Sequence, residues 1–382
     1  MNKLKIFLFA VGSLLLMAAS CSDKNSPEVL EPEETTETPS FYYGADLSYI
    51  NEMEDCGAVY KNTNNINTNP YKIFKDAGAN LVRVRLWHNP TWTNYSNYVD
   101  VKKTIQKAKN EGMQVLLDFH YSDTWTDPSK QKIPVAWENE IDNKEALGEL
   151  LYNYTYETLN NLAKANLVPE MVQVGNEINP MILQGEELVW PIDWDRNSYL
   201  INKGIKAVRD ISKEKNTEIE VMLHIAQPEN GLWWFKDATA NGITDYDWIG
   251  LSYYPIWSEY TLNNVGAVFQ KLINTYKKKL MVVETAYPFT LENIDEANNI
   301  LDSKALISGY PATEQGQLDY LNKLKEIIEN AGGAGLVYWE PAWVSTNCST
   351  LWGKGSHWDN ATLFDHNNKP TLGMQFYNGS KK

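Results

Sequence analysis

Basic charge is what this chain lacks most. Lys and Arg number 34 against 49 Asp and Glu, for a formal net charge of −15. A strongly acidic surface repels polyanions, which argues against nucleic acid as a partner and suits a neutral one. Cysteine is scarce too: only Cys21, Cys56 and Cys348 occur. No internal repeat is evident, and beyond residue 40 no stretch has the composition of a linker. Residues 41–382 therefore read as one domain.

A long membrane-spanning run is also missing. The apolar stretch 6–19 is short and follows Lys3 and Lys5, as in a secretory leader over residues 1–20. It closes on Ala18-Ala19-Ser20-Cys21, which resembles a bacterial lipobox. Cleavage there would leave Cys21 as a lipidated N-terminus; the alternative is ordinary secretion with Cys21 incidental. Residues 21–40 are polar, acidic and spaced by proline, the composition of a disordered tether. Acidic residues soon after a lipidated cysteine resemble the surface-export tracts of some Gram-negative lipoproteins, with retention on the periplasmic face as the alternative. The leader removes two lysines and the tether carries −5, which leaves about −12 on the domain. In an exported chain Cys56 and Cys348 suggest one disulfide, or else two free buried thiols.

What is abundant is aromatic: 14 Trp, 22 Tyr and 10 Phe. Many, such as Trp125, Trp137, Trp190, Trp257 and Trp352, stand in polar, turn-rich surroundings. Exposed aromatic faces in a groove suit the C–H faces of sugar rings.

Apolar strands recur along the domain at 42–48, 81–87, 114–120, 171–177, 219–226, 248–254, 280–286 and 334–339. Helical patterns lie between them at 70–78, 100–111, 143–166, 196–214, 230–241, 262–278 and 314–330, with a last turn at 371–377. Eight strands alternating with helices predict a parallel sheet closed into a (β/α)8 TIM barrel, with the site at the C-terminal strand ends. Polar residues collect there: Asp46, Arg83, Arg85, Asp118, His120, Asn176, Glu177, Tyr253, Tyr254, Glu284, Trp339 and Glu340. Buried strand arginines require partners, and Glu177 and Glu284 are candidates for Arg83 and Arg85.

Strands 4 and 7 both stop at a glutamate, Glu177 and Glu284, and face each other across the barrel mouth. Two carboxyls over a groove form the device of glycoside hydrolysis: one protonates the leaving oxygen, and the other attacks the anomeric carbon or activates a water. The plainer reading makes one of them a mere counter-ion to a strand arginine.

At this point the chain resembles a known family. The Asn-Glu of strand 4 and Glu of strand 7 resemble clan A glycoside hydrolases. Asp118-Phe119-His120-Tyr121-Ser122-Asp123-Thr124-Trp125, Val174-Gly175-Asn176-Glu177-Ile178, Ser252-Tyr253-Tyr254-Pro255-Ile256-Trp257, Val283-Glu284-Thr285-Ala286-Tyr287-Pro288 and Tyr338-Trp339-Glu340-Pro341-Ala342-Trp343 are similar to segments of glycoside hydrolase family 53, the endo-β-1,4-galactanases. The resemblance implies Glu177 as acid/base and Glu284 as nucleophile, retention of configuration, and carboxyls about 5–5.5 Å apart. It implies that Asn176 binds the 2-hydroxyl, that Arg85 and Tyr253 orient the nucleophile, and that His120 and Trp339 shape the sugar site. It also implies Asp118, Asp123, Trp125, Trp190, Trp257 and Trp343 as further groove residues. Glu340 is read as structural or hydroxyl-binding.

Bacterial members carry calcium between the loops after strands 7 and 8. The matching residues are Asn293, Asp295 and Asn299, with Ser356 and Asp359; oxygen-only ligation suits Ca²⁺, while a solvated Asn/Asp turn is the alternative. No organic cofactor is implied. Strands 1 and 8 adjoin in a closed barrel, which brings Cys56 and Cys348 onto neighbouring loops. The expectation is a monomeric, lipid-anchored outer-membrane enzyme cutting β-1,4-galactan. A clan A hydrolase of mannan, xylan or glucan and a non-catalytic glycan-binding lipoprotein are its rivals.

Overall fold

The computed structural model describes residues 39–381. The leader, Cys21 and all but the last two residues of the tether lie outside them. Eight strands form a closed barrel in sequence order: β1 (Tyr42–Asp46), β2 (Leu81–Leu86), β3 (Gln114–Phe119), β4 (Met171–Val174), β5 (Glu220–Ala226), β6 (Trp248–Ser252), β7 (Lys279–Glu284) and β8 (Gly335–Tyr338). All pairings are parallel, and β1 closes on β8 through Tyr42↔Gly335 to Ala45↔Tyr338.

Seven helices follow the expected pattern: α2 (Pro70–Ala77), α3 (Tyr98–Asn110), α4 (Lys144–Lys164), α5 (Trp194–Glu214), α6 (Pro228–Ala240), α7 (Val265–Tyr276) and α8 (Glu314–Asn330). Their starts are chemically marked. The Asn97 side chain accepts from the amides of Val99 and Asp100, Asp193 from those of Asp195 and Arg196, and Thr313 from that of Gly316. Pro70 and Pro228 stand in first turns, where no amide proton is needed. A short helix after β1, α1 (Ile50–Asp55), was not anticipated. The expected C-terminal turn is a 3₁₀ stretch, Leu372–Lys381, held by Ser380 Oγ donating to the Gly78 carbonyl at 2.6 Å.

The barrel interior is layered. Tyr42, Leu81, Leu116, Met171, Met222, Trp248, Met281 and Val337 form a buried apolar plug. Each such side chain contributes about 1.5–3 kcal/mol by leaving water. Further along the same strands, towards their C-terminal ends, stand Asp46, Arg83, Asp118, Gln173 and His224, all buried. Most strands end earlier than their apolar patterns suggest, because the chain turns at the mouth. After β4, Gly175 (φ +88°) and Glu177 (φ +47°) occupy the left-handed region. A Cβ on Gly175 would lie 2.4 Å from Ile178 Cγ2, so only glycine fits.

Cys56, at the end of α1, and Cys348, in the loop after β8, are bonded, with Cα atoms 5.7 Å apart. Cys348 directly precedes a small hairpin, β9 (Ser349–Thr350) and β10 (Gly353–Lys354), whose tip carries Trp352. Closing so long a loop restricts the unfolded chain and is worth up to about 5 kcal/mol. Cys348→Ser is therefore expected to lower the unfolding midpoint by several degrees, and reductant to do the same to the wild type but not to the variant. Superimposable melts of the oxidised and reduced wild type would contradict this.

Candidate active site

Alternate strand residues share a face, so Arg83 and Arg85 of β2 both point into the barrel. Arg83 lies at its centre. Its guanidinium contacts Asp46 Oδ2, Asp118 Oδ2 and Glu284 Oε1, each at 2.8 Å, and donates to Asn176 Oδ1 at 2.8 Å and Gln173 Oε1 at 3.3 Å. Arg85 is one pleat nearer the mouth and turns towards β8, pairing with Glu340 Oε1 at 2.5 Å. It lies between the rings of Tyr49 and Trp125, at 4.3 and 4.2 Å. The nucleophile-orienting role expected of Arg85 thus falls, geometrically, to Arg83. The two share a face, but the deeper one alone reaches β7.

One oxygen of Glu177, one of Glu284 and a ring nitrogen of His224 lie within 4.8 Å of one another. Burial pushes both carboxyls up: Glu177 to about 7, with the charges of Asp127 and Asp118 adding, and Glu284 well above its usual range, with the charge of Glu177 adding. The Arg83 contact opposes this most directly at Glu284. We assign the negative charge to Glu284 and the proton to Glu177. Ser252 Oγ donates to Glu177 Oε1 at 2.5 Å. Gln131 Nε2 donates to the carbonyls of Asn176 and Glu177 at 2.9 and 3.1 Å, clamping the turn that carries the acid.

The remaining expected residues divide. His120, Trp125, Asn176, Trp257, Trp339 and Trp343 line a cavity of about 440 Å³ together with Glu177 and Glu284. His120 is held between Asp118 (3.2 Å) and Thr126 Oγ1 (3.0 Å), and burial lowers its basicity. Asp118 itself is fully buried, bonded to Arg83 and Gln173, and supports the floor rather than lining the cavity. Asp123 is spent on the amides of Asn89 and Val135, at 2.8 and 2.9 Å, and ties loops together. Trp190 is 54% exposed outside the cavity lining and meets Trp233 edge-on. Tyr253 points outward: its ring meets Phe269 and its hydroxyl donates to the Tyr260 carbonyl at 3.1 Å. Tyr254, on the opposite pleat, lines the cavity, and its hydroxyl is pushed up by burial and by the charges of Glu284 and Glu177. Glu340 is buried against Arg85, and burial raises its carboxyl to about 8.

Sequence reasoning attached no role to Ser252, His224 or Gln131; Trp352, singled out there only as an aromatic suited to a groove, also lines the cavity. The signal for the first two was available in part, since both stand near the C-terminal ends of inward-facing strands.

The residues matched to calcium do converge. Asp359 Oδ1 accepts from Asn299 Nδ2 at 2.7 Å, Asp295 Oδ2 from the Ser356 amide at 2.8 Å, and Asn293 Oδ1 from Asn299 Nδ2 at 3.0 Å. Asp359 is fully buried, and no Lys or Arg among the described residues pairs with it or with Asp295. Burial raises the Asp359 carboxyl, and Asp295 adds to the effect. Two carboxylates and two amide oxygens without a cationic side chain fit a hard cation. Binding would require the Asn299 amide to turn over.

A closed barrel with one acid after β4 and another ending β7, near enough for direct attack on a sugar bound between them, defines a glycoside hydrolase of the clan A type. The Glycosyl hydrolase family 53 model matches residues 42–377, and the chain belongs to that family. It is 58% identical to an arabinogalactan endo-beta-1,4-galactanase of Cellvibrio japonicus over 331 residues, covering 86% of this chain and 88% of the relative. It is 37% identical to an endo-beta-1,4-galactanase of Bacillus subtilis, covering 88% and 85%. Among solved structures, the GH53 catalytic domain of Ignisphaera aggregans superposes with a TM-score of 0.81 at 30% identity, covering 90% of this chain and 97% of that one.

The two arginines are expected to separate on substitution. Arg83→Lys removes the fork that spans three carboxylates and should lower kcat by about 10²-fold or more. Arg85→Lys, which leaves Glu284 untouched, should cost about tenfold or less. Steady-state rates of both variants check this, and a reversed order would return the orienting role to Arg85.

Proposed function

We propose that this enzyme is a retaining endo-β-1,4-galactanase acting on the galactan of type I arabinogalactan, the side chains of pectin. The closeness of the Glu177 and Glu284 oxygens carries the mechanism, because inversion needs about 6.5–9.5 Å to admit a water between substrate and base. The galactan assignment is supported by the galactanases of Cellvibrio japonicus and Bacillus subtilis.

Glu284 attacks the anomeric carbon while Glu177 gives its proton to the departing glycosidic oxygen, leaving a galactosyl ester on Glu284. Glu177, now ionised, takes a proton from water; the hydroxide oxygen displaces Glu284 and releases a sugar of retained configuration. Arg83 keeps Glu284 ionised and aimed. Asn176 gives one amide proton to the Thr126 carbonyl at 2.8 Å, and its second is placed for the sugar 2-hydroxyl. Trp125, Trp257, Trp339 and Trp343 present ring faces and edges to the apolar side of galactose. The expected profile of kcat/KM falls as pH rises through about 7, where Glu177 loses the proton it must donate. It falls at low pH as Glu284 is protonated. Either Glu177→Ala or Glu284→Ala should abolish turnover of galactan. Undiminished turnover in both, or activity confined to mannan, xylan or glucan, would defeat this reading.

We further propose a structural Ca²⁺ held by Asn293, Asp295, Asn299, Ser356 and Asp359, joining the loops after β7 and β8. It takes no part in the chemistry. Chelator should lower the melting temperature and added Ca²⁺ restore it; a melt indifferent to both would remove calcium from the account. The N-terminal pattern supports export and attachment through lipidated Cys21 to the outer membrane, facing the cell surface. Cys21→Ala should move the protein from the membrane to the soluble fraction, and an unchanged membrane fraction would dismiss the anchor.

A further inference from the structure

The acid/base of this enzyme must do two opposite things at one place, giving a proton and later taking one. Around Glu177 the structure holds a chain of groups that the two-carboxylate mechanism does not use. Glu177 Oε1 accepts from Ser252 Oγ at 2.5 Å. Ser252 Oγ lies 2.8 Å from His224 Nε2. On its other side, His224 Nδ1 meets the Glu177 amide at 3.3 Å, Gln173 Nε2 at 3.0 Å and Asn176 Oδ1 at 3.0 Å.

These contacts decide the tautomer. The Glu177 amide is a fixed donor, and Nδ1 is its acceptor. Asn176 Oδ1 already accepts from Arg83 and Gln173. Nδ1 therefore carries no proton, and the proton of the neutral ring sits on Nε2. Burial, with Arg83 and His120 nearby, keeps the ring from taking a second. Nε2–H then points at the Ser252 oxygen, which leaves the serine hydroxyl proton free to point one way only, at Glu177 Oε1. The direction of every proton in the chain follows from one backbone amide.

We propose that Ser252, oriented by neutral His224, is a positioning residue for the acid/base: it occupies Oε1 of Glu177 as donor and so leaves the transferable proton to Oε2. No described side chain or amide bonds to Oε2. The inference rests on the assignment of Glu177 as acid/base made above. Other groups facing Glu177 are Arg83 from β2, Asp118 from β3, Asp127 from the loop after β3, Tyr254 after β6 and Glu284 from β7. None of them occupies Oε1.

The sign of the effect is definite. A hydroxyl donating to Glu177 favours its ionised form, so removing the donor makes the acid weaker. The alkaline limb of kcat/KM on galactan follows loss of the Glu177 proton and must move upward. Ser252→Ala is expected to shift that limb by about one pH unit, while Ser252→Thr, which keeps a hydroxyl, leaves it in place. Ser252→Cys, close in size and a weaker donor, should shift it part of the way and serves if the alanine variant does not fold. A folded Ser252→Ala or Ser252→Cys that loses rate with the limb unmoved would overturn the proposal, since a merely structural serine lowers activity without changing the titration. Glu177→Ala run alongside separates the two levels: an alkaline limb that survives it would remove the acid/base assignment itself.

Discussion

The structure turns on one buried cation. Arg83 is 1% exposed and lies in direct contact with three carboxylates from three strands, Asp46, Asp118 and Glu284. A guanidinium in that position would be costly alone, and so would each of the acids. Together they form a network whose geometry is imposed by the barrel, because β1, β2, β3 and β7 can be brought to one point only when the sheet closes. Removing any member leaves an uncompensated charge, and this couples the integrity of the fold to the state of the nucleophile.

From that centre the two glutamates acquire different characters. Glu284 touches the arginine, while Glu177 is held by a serine hydroxyl and sits on a turn of left-handed backbone. Chemically identical side chains thus become an anion and an acid through their partners. The apolar plug beneath and the tryptophans around the mouth reduce access of water to both, which strengthens each of these interactions. Arg85 and Glu340 form a second, separate pair nearer the mouth, with the Arg85 guanidinium against the ring of Trp125.

Much of this was legible in the chain. Eight apolar segments with intervening helical periodicity led directly to the barrel, and the glutamates ending the fourth and seventh led to the catalytic pair. Less was legible about neighbours. Arg83 and Arg85 have the same parity, and nothing in their spacing says which one reaches β7. Tyr253 and Tyr254 are adjacent, and the alternation that puts Trp248 inside the barrel continues to Tyr254 and leaves Tyr253 outside, while the irregular register beside it skips Val283 of β7. Asp123 looked like a groove residue and instead caps loop amides. The end of β4 was overrun because its pattern continues past Gly175, where φ changes sign.

The sequence by itself determined the order and number of strands, the excess of acid and the two glutamates proposed to react. These follow from local periodicity and from residue chemistry, both carried along the chain. Only the tertiary structure decided which arginine holds the nucleophile, which tyrosine sees the substrate, and how a histidine and a serine from β5 and β6 are lined up behind the acid. Those are contacts between strands far apart in sequence, set by the pleat, stagger and depth of a closed sheet. No segment taken alone contains that information.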